Sequence, residues 1–391
     1  MRSTADAVII GGGCIGVSTL YYLAKLGMNN VVLLEKASLA SGSTGDSAAI
    51  VRQHYSNEVS VRLVMKSIEI LRSFPEEFGT EVFNSIGWIF LVPPSAQSSF
   101  VINMRRLQKL GVRTWEISPQ EVVLEHISGL VLDDISKVAY EPDSGYADPH
   151  STVLGFANMA RHLGAEIRVN TPATGIIMSR NKITGVKTND GQISTSRVIN
   201  AAGPWAQEIA KWVGLDLPLE VSREQEMMLR ISPNRPSLQR SVSNMVDQTY
   251  FRPTRDPSTI LVGVGHPKKN ELVNPDSYNT HADNTFLEDV SNRISRRIPD
   301  FSESEIISSW AGLYTITPDW NMIIDKVQDI KDFYLAVGGS GHSFKLSPAI
   351  GQCLAELVVY GEALTVDITS LRAGRFDDNT TLQSTYGGNR G

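Results

Sequence analysis

Cysteine is almost missing from this chain: Cys14 and Cys353 are the only two in 391 residues. Two thiols so far apart exclude a disulfide framework, and the lack of a cysteine cluster excludes an iron–sulfur centre within the chain. Neither cysteine has ligand company, so no metal site is expected. Long apolar runs are missing too. No stretch approaches the ~18 uninterrupted apolar residues of a membrane-spanning helix. Glycines break the first apolar stretch, which therefore does not read as a secretory signal, and the expected compartment is cytoplasmic. Positive charge is in deficit: 36 Lys and Arg stand against 42 Asp and Glu, a net charge of −6. A chain without a basic excess is a poor partner for nucleic acid.

What is present describes a globular protein. Hydrophobic residues make up 41% and charged residues 20% of the chain, a balance that can bury a core. At roughly 100–200 residues per compact unit, about two domains are expected. The strongest signal lies near the start. Asp6 to Ile10 is an apolar strand that runs into Gly11-Gly12-Gly13-Cys14-Ile15-Gly16, followed by a helical stretch to Leu26 and a second strand, Val31 to Glu35. Glycines at 11, 13 and 16 let the backbone turn tightly and approach a pyrophosphate at the positive end of the helix. Glu35 falls where a carboxylate accepts hydrogen bonds from a ribose. Strand, turn, helix, strand and acid in register point to a dinucleotide site on a Rossmann-like α/β unit.

Two further segments repeat the strand–glycine–helix theme. Arg197 to Asn200 leads through Ala201-Ala202-Gly203-Pro204-Trp205 into a helical stretch from Ala206 to Val213. Its small residues either bring backbone close to a cofactor or pack two strands tightly. Phe333 to Val337 leads through Gly338-Gly339-Ser340-Gly341-His342-Ser343-Phe344-Lys345, and Ser347 and Pro348 predict a helix beginning there and running to about Tyr360. Between these pieces lie short alternating runs broken by turn residues, within 81–143 and about 215–318, which predict an antiparallel sheet. Helical patterns interrupt them at about 96–111 and 284–297. The basic run Arg293 to Arg297 reads as a solvated helix face. From Asp377 onward the chain is polar and glycine-rich, the composition of a mobile tail.

Together these segments resemble the flavoprotein amine oxidoreductases of the D-amino-acid oxidase superfamily, most of all the sarcosine oxidase and dimethylglycine dehydrogenase branch. The likeness runs from Ala5 to about Phe376. It implies an FAD-binding domain of the glutathione-reductase type, from 1–80, 144–214 and 319–376, with an inserted α+β substrate domain, from 81–143 and 215–318, built on an antiparallel sheet; 377–391 is the tail. On that resemblance Gly11, Gly13, Cys14, Ile15 and Gly16 with Glu35 and Lys36 form the ADP-binding element. Ser43, Thr44, Ser47, Ala48 and Ala49 belong to the loop that passes the pyrophosphate and reaches the isoalloxazine. Ala173 meets the adenine, Ala202, Gly203 and Trp205 form a second glycine motif, and Gly339, Ser340, Gly341 and His342 line the ring. In monomeric sarcosine oxidases a cysteine beside the ring holds the flavin covalently; its position falls on Gly312 here. In dimethylglycine dehydrogenases the tether is a histidine, and that region reads Gly45-Asp46-Ser47. With both tethers missing, FAD is expected to be bound non-covalently.

The implied chemistry removes a hydride equivalent from a carbon beside an amine nitrogen, after which the imine hydrolyses. Such a site needs cations for the substrate carboxylate rather than a catalytic triad. Lys345 resembles the family lysine that meets the carboxylate. Arg52 resembles the arginine that pairs with it, the alternative being a structural ion pair; a second family arginine falls on Ala49. His266 overlays a substrate-facing histidine or is a plain loop residue. His54, Tyr55 and Tyr250 are further wall candidates. The stretch near Val262 is apolar where the oxidases carry a lysine that promotes reaction with dioxygen, which favours a dehydrogenase. The expected substrate is a small secondary or N-methylated amino acid, sarcosine-like. Glycine, a D-amino acid, proline or a 2-hydroxy acid are the alternatives, as is an electron-relaying FAD subunit of a larger complex. The electron acceptor is either dioxygen or a redox partner, and a homo- or hetero-oligomer is compatible with either.

Overall fold

The computed structural model describes residues 2–232 and 237–386. Six strands form one sheet in the order 323–326, 333–337, 198–200, 7–10, 31–34 and 166–168. All neighbours run parallel except the first pair. Ala7–Ile10, Val31–Leu34 and Phe333–Val337 are buried at every position. Both faces of this sheet are covered, so its strands read as continuous apolar runs. Helices Cys14–Lys25 and Ser343–Tyr360 pack against each other on one face, and a three-stranded antiparallel sheet, 173–179, 182–188 and 191–194, belongs to the same unit.

The other large sheet has eight strands in the order 305–316, 220–230, 259–264, 249–253, 241–244, 88–92, 137–141 and 115–117. Every strand in it comes from 88–141 or 220–316, and the segment between returns to the parallel sheet. Only 241–244 with 88–92 is a parallel pair. The outer face packs on helix Asn284–Arg297 through Val290 and Ile294, which join Met227, Phe251 and Val262 in one apolar cluster.

Three local expectations change. The basic run on helix Asn284–Arg297 is solvated only in part: Arg296 is exposed and Arg293 half-buried, but Arg297 is buried. Arg297 is 2% exposed, and its guanidinium lies 2.6 Å from Asp247 and 2.7 Å from Asp134. Arg296 pairs with Asp247, and Arg293 donates to the Asp247 carbonyl at 2.8 Å. A buried carboxylate must be paired, and the run supplies its cations. Secondly, the last long helix starts at Ser343 rather than at Ser347. Pro348 is tolerated inside it because the Phe344 carbonyl, which would have accepted the missing N–H, takes the Ser347 hydroxyl at 2.8 Å. This puts Lys345 on a rigid first turn instead of a loop. Thirdly, the segment after Asp377 is packed as far as Tyr386. The Leu382 amide donates to Asp319 at 3.1 Å, Arg106 donates to Thr385 at 2.8 Å, and the Tyr386 ring lies edge-on to Phe90. The rest of the expected tail, 387–391, lies outside the described residues.

Candidate active site

A cavity of about 730 Å³ lies between the two large sheets and takes lining residues from both. At one end Gly11 ends its strand at φ +117°, and a Cβ there would stand 2.3 Å from the Ala201 carbonyl oxygen. Gly13, Cys14 and Ile15 line the cavity beside it. Gly16 does not: it packs the helix onto the Gly11 carbonyl, 2.0 Å from where its own Cβ would be. Thr44 accepts from the Cys14 amide at 3.1 Å, while the neighbouring Ser43 hydroxyl is buried without a partner among the described residues. Glu35 is clamped at 2.7 Å by the Gly12 amide and at 2.8 Å by the Ala37 amide. Each carboxylate oxygen keeps capacity for a further donor. Ala173, Ala202 and Gly203 complete this end. An orphaned hydroxyl, a backbone cradle and an immobilised acid fit a dinucleotide. Lys36 lines this end as well. Its ammonium lies 3.4 Å over the Trp205 ring and 3.1 Å from Asp276, to which Trp205 Nε1 donates at 2.7 Å.

Further in, the loop carrying Asp46 to Ala49 meets strand 305–316. Trp310 Nε1 donates to the Asp46 carbonyl at 3.1 Å. A Cβ on Gly312 would stand 2.8 Å from that of Asp46, so only glycine lets the strand pass. Ala49 and Ser340, both lining the cavity, hold φ of +52° and +46°. Gly339, Gly341 and His342 line it as well.

The far end holds the charges. Arg52 lies 4.7 Å over the Tyr55 ring and donates to the His54 carbonyl. Tyr55 therefore stands behind the guanidinium as its platform and does not line the cavity. Lys345 is 9% exposed. Burial first, and then Arg52, hold its ammonium well below the usual lysine range. Burial, Lys345, Arg52 and His266 likewise keep His342 neutral. Among the described residues no carboxylate lies within ion-pair distance of Arg52 or Lys345. Two cations with no anion face the cavity, the arrangement a bound carboxylate would complete.

His54 lines the cavity with Nε2 2.6 Å from the Tyr386 hydroxyl and Nδ1 3.6 Å from Glu141, whose other oxygen takes the Gln53 amide and the Ser144 hydroxyl. Burial lowers its pKa in spite of Glu141. His266 faces the cavity 3.4 Å from Glu224, an acid that Lys268 also reaches at 2.6 Å. Tyr250 donates to Glu226 at 2.8 Å. Sequence reasoning missed Glu224, Glu226 and Tyr386. The first two had a legible signal, since acids two residues apart in a strand point to one face. Tyr386 had none, because its contacts with His54 and Phe90 join residues far apart along the chain.

The family description FAD dependent oxidoreductase (DAO) matches residues 6–357. Dimethylglycine dehydrogenase, mitochondrial, of Rattus norvegicus is 28% identical over 400 residues, which cover 98% of this chain and 46% of that protein; the chain spans less than half of that relative's length. Sarcosine oxidase subunit beta of Arthrobacter sp is 28% identical over 376 residues, 93% of this chain and 89% of that protein. Among solved structures, the crystal structure of L-proline dehydrogenase from P.horikoshii matches with a TM-score of 0.90 and 30% identity, covering 97% of this chain and 99% of that one.

Proposed function

The chain belongs to the DAO family of FAD-dependent oxidoreductases, and from that premise we propose that it oxidises the C–N bond of a small secondary or N-methylated amino acid. One observation carries the reading: Arg52 and Lys345 face the cavity, and among the described residues no carboxylate pairs with either. A substrate carboxylate seated on that pair would be held by a planar fork and a point charge together. FAD, when bound, supplies the acceptor for the hydride equivalent that leaves the carbon beside the nitrogen. The glycine cradle, Ser43, Thr44 and Glu35 would hold its phosphates and ribose. His342, kept neutral, adds no third cation against the substrate nitrogen. Phe90, Trp88 and Trp320 give the pocket apolar walls, suiting a compact substrate with one charged end.

Sarcosine and proline both carry a secondary nitrogen one carbon from a carboxylate. The similarity to the P.horikoshii L-proline dehydrogenase favours the cyclic arm of the reading. An anaerobic screen with an artificial electron acceptor tests it, using sarcosine, dimethylglycine, proline, glycine, D-amino acids and a 2-hydroxy acid. Flavin bleaching by a secondary or N-methylated amino acid supports the proposal. Bleaching by the hydroxy acid alone, or by none of them, overturns it, and the second outcome favours an electron-relaying subunit.

We also propose that the acceptor is not dioxygen. Lys268 is tied to Glu224 at 2.6 Å, and Val262 is buried in the outer apolar cluster, which supplies no free ammonium at that position. Turnover in air without an added acceptor is expected to be much slower than with one; equal rates would make the protein an oxidase. The flavin is proposed to be non-covalent, because glycine stands at 312 and Asp46 beside it. Denaturation should release all of it into the supernatant, and yellow precipitate would contradict this. Among the described residues no helix is long and apolar enough to cross a membrane. Several relatives are named as mitochondrial, among them that of Rattus norvegicus. A cytoplasmic compartment is our proposal for this chain, and cell fractionation tests it.

A further inference from the structure

We propose that Glu226 receives the substrate nitrogen: its free carboxylate oxygen binds the ammonium and takes one N–H proton, while the substrate carboxylate rests on Arg52 and Lys345. The inference rests on the amine reading above and names the residue that would carry its other half.

Two acids, Glu224 and Glu226, project from strand Glu220–Arg230 into the same cavity. They differ in what already holds them. Glu224 accepts from the Ser222 hydroxyl at 3.0 Å and is paired with Lys268 and His266; these contacts outweigh burial and hold its carboxyl below the ordinary range. Glu226 is 6% exposed; the Tyr250 hydroxyl donates to its Oε1 at 2.8 Å, and the Ala48 amide also faces the carboxyl. Its Oε2 is buried with no hydrogen-bond partner among the described residues. A buried polar atom left unpaired costs on the order of 1–3 kcal/mol, more when charged. A cavity-facing carboxylate kept in that condition is matched to a donor that arrives with a ligand.

The groups around it leave the place open. Arg252, on the strand carrying Tyr250, is the nearby cation. Its guanidinium is committed to the Ala48 carbonyl at 2.5 Å and the Pro253 carbonyl at 2.9 Å. Asp46 faces Glu226 from the cofactor loop, Tyr314 from strand 305–316, and Glu224 from its own strand. Burial dominates this set and, with Asp46, raises the Glu226 carboxyl to about 7, while Tyr250, Arg252 and the Ala48 amide oppose it. An anion that titrates near neutrality, in a cavity that also holds two unpaired cations, is complementary to a zwitterion. In the step proposed, one N–H bond of the substrate breaks and an O–H bond forms on Glu226 Oε2. The nitrogen keeps the electron pair, which then favours departure of hydride from the adjacent carbon. No oxidant enters this step.

The test compares the holoenzyme with Glu226→Gln and Tyr250→Phe. Anaerobic flavin bleaching by the best amine of the screen is followed across pH. Methoxyacetate, the nitrogen-free isostere of sarcosine, is titrated by its perturbation of the flavin spectrum. In the parent enzyme the reduction rate is expected to rise with pH through about 7, because the base must be ionised. Glu226→Gln should retain FAD and bind methoxyacetate at least as well, yet lose ~10-fold or more in amine affinity, together with the pH step. Tyr250→Phe removes a donor that stabilises the anion, so its step should move to higher pH. An unchanged pH profile in both variants overturns the proposal. So does an equal loss of methoxyacetate and amine binding, or a fall in FAD affinity, which would assign the open oxygen to the cofactor. If Glu226→Gln does not fold, Tyr250→Phe decides alone. If no amine bleaches the parent enzyme, the amine reading itself has failed, whereas intact amine oxidation with an unmoved profile sinks only Glu226.

Discussion

Lys345→Met is expected to keep its flavin, lose carboxylate binding and melt at a higher temperature than the parent chain. The affinity loss follows from removing one partner of a buried charge pair, which costs about 2–5 kcal/mol, or roughly 30-fold to several-thousand-fold in Kd. Arg52 remains and sets the lower end. The gain in stability has the opposite sign for a definite reason. Burial and Arg52 depress the Lys345 pKa in the folded chain, so the unfolded chain binds the proton more readily, and stability rises with pH between the two pKa values. Below the folded value the cost is present in full, and it disappears only as pH approaches the ordinary lysine value of about 10.4. Methionine removes it. The variant's advantage in Tm should therefore be largest at low pH and shrink towards alkaline pH.

The same variant changes the pH profile of binding. A substrate carboxylate favours the charged ammonium, so parent affinity falls as pH rises through the free-enzyme pKa of Lys345; this alkaline limb should flatten in Lys345→Met. The Glu226 limb in flavin reduction by an amine rises through about 7, and Lys345→Met should leave it in place. Ligand titration with a carboxylate probe, combined with thermal melts over the same pH range, reads both effects. Unchanged affinity alongside a raised Tm would take Lys345 out of the substrate site and leave it as a structural liability.

Gly11→Ala is expected to abolish flavin binding. The new Cβ would stand 2.3 Å from the Ala201 carbonyl oxygen and 2.7 Å from its carbonyl carbon, at φ +117°. These are backbone atoms of the segment leaving the next strand, so no rotamer change relieves the contact. Strain of this kind costs on the order of 1–3 kcal/mol before the clash is counted. Relief requires one strand end to move, and both ends border the dinucleotide cradle. We expect colourless soluble protein or none, and an FAD Kd raised roughly 100-fold or more if the chain folds. Gly27→Ala is the control: φ there is +92° with nothing within 4 Å of the new Cβ, so it should lose stability yet stay yellow. A fully flavinated Gly11→Ala protein of normal Tm would remove the turn from the cofactor site.

Legibility followed the range of the interactions involved. The glycine turn, the strand Ala7–Ile10 and the acid Glu35 were readable because turn geometry and two-sided burial act within a few residues. Lys345 and Arg52 were readable only by resemblance, since a cation in a loop sequence carries no local mark of its partner. The helix start at Ser343 was hidden by Pro348. That proline is admitted by a side-chain bond from Ser347, which the neighbouring pattern does not announce. The solvated reading of Arg297 failed because its two acids lie at Asp134 and Asp247, far away along the chain. Tyr386 sits in a polar, glycine-rich stretch and is half-buried only because His54 and Phe90 are there to receive it.

By itself the sequence determined a cofactor class, a two-sheet architecture and the residue types available for chemistry, because those depend on local backbone freedom and on the period of burial. Only the tertiary structure decided which of them meet. Packing the two sheets brings Arg52, Lys345 and Glu226 to one cavity, and among the described residues no carboxylate pairs with Arg52 or Lys345. It gives Glu224 close ion partners in His266 and Lys268, while its neighbour Glu226 has only the more distant Arg252, although both stand on one strand face. Charge pairing over long sequence separations is set by where the elements dock, and no spacing in the chain records it.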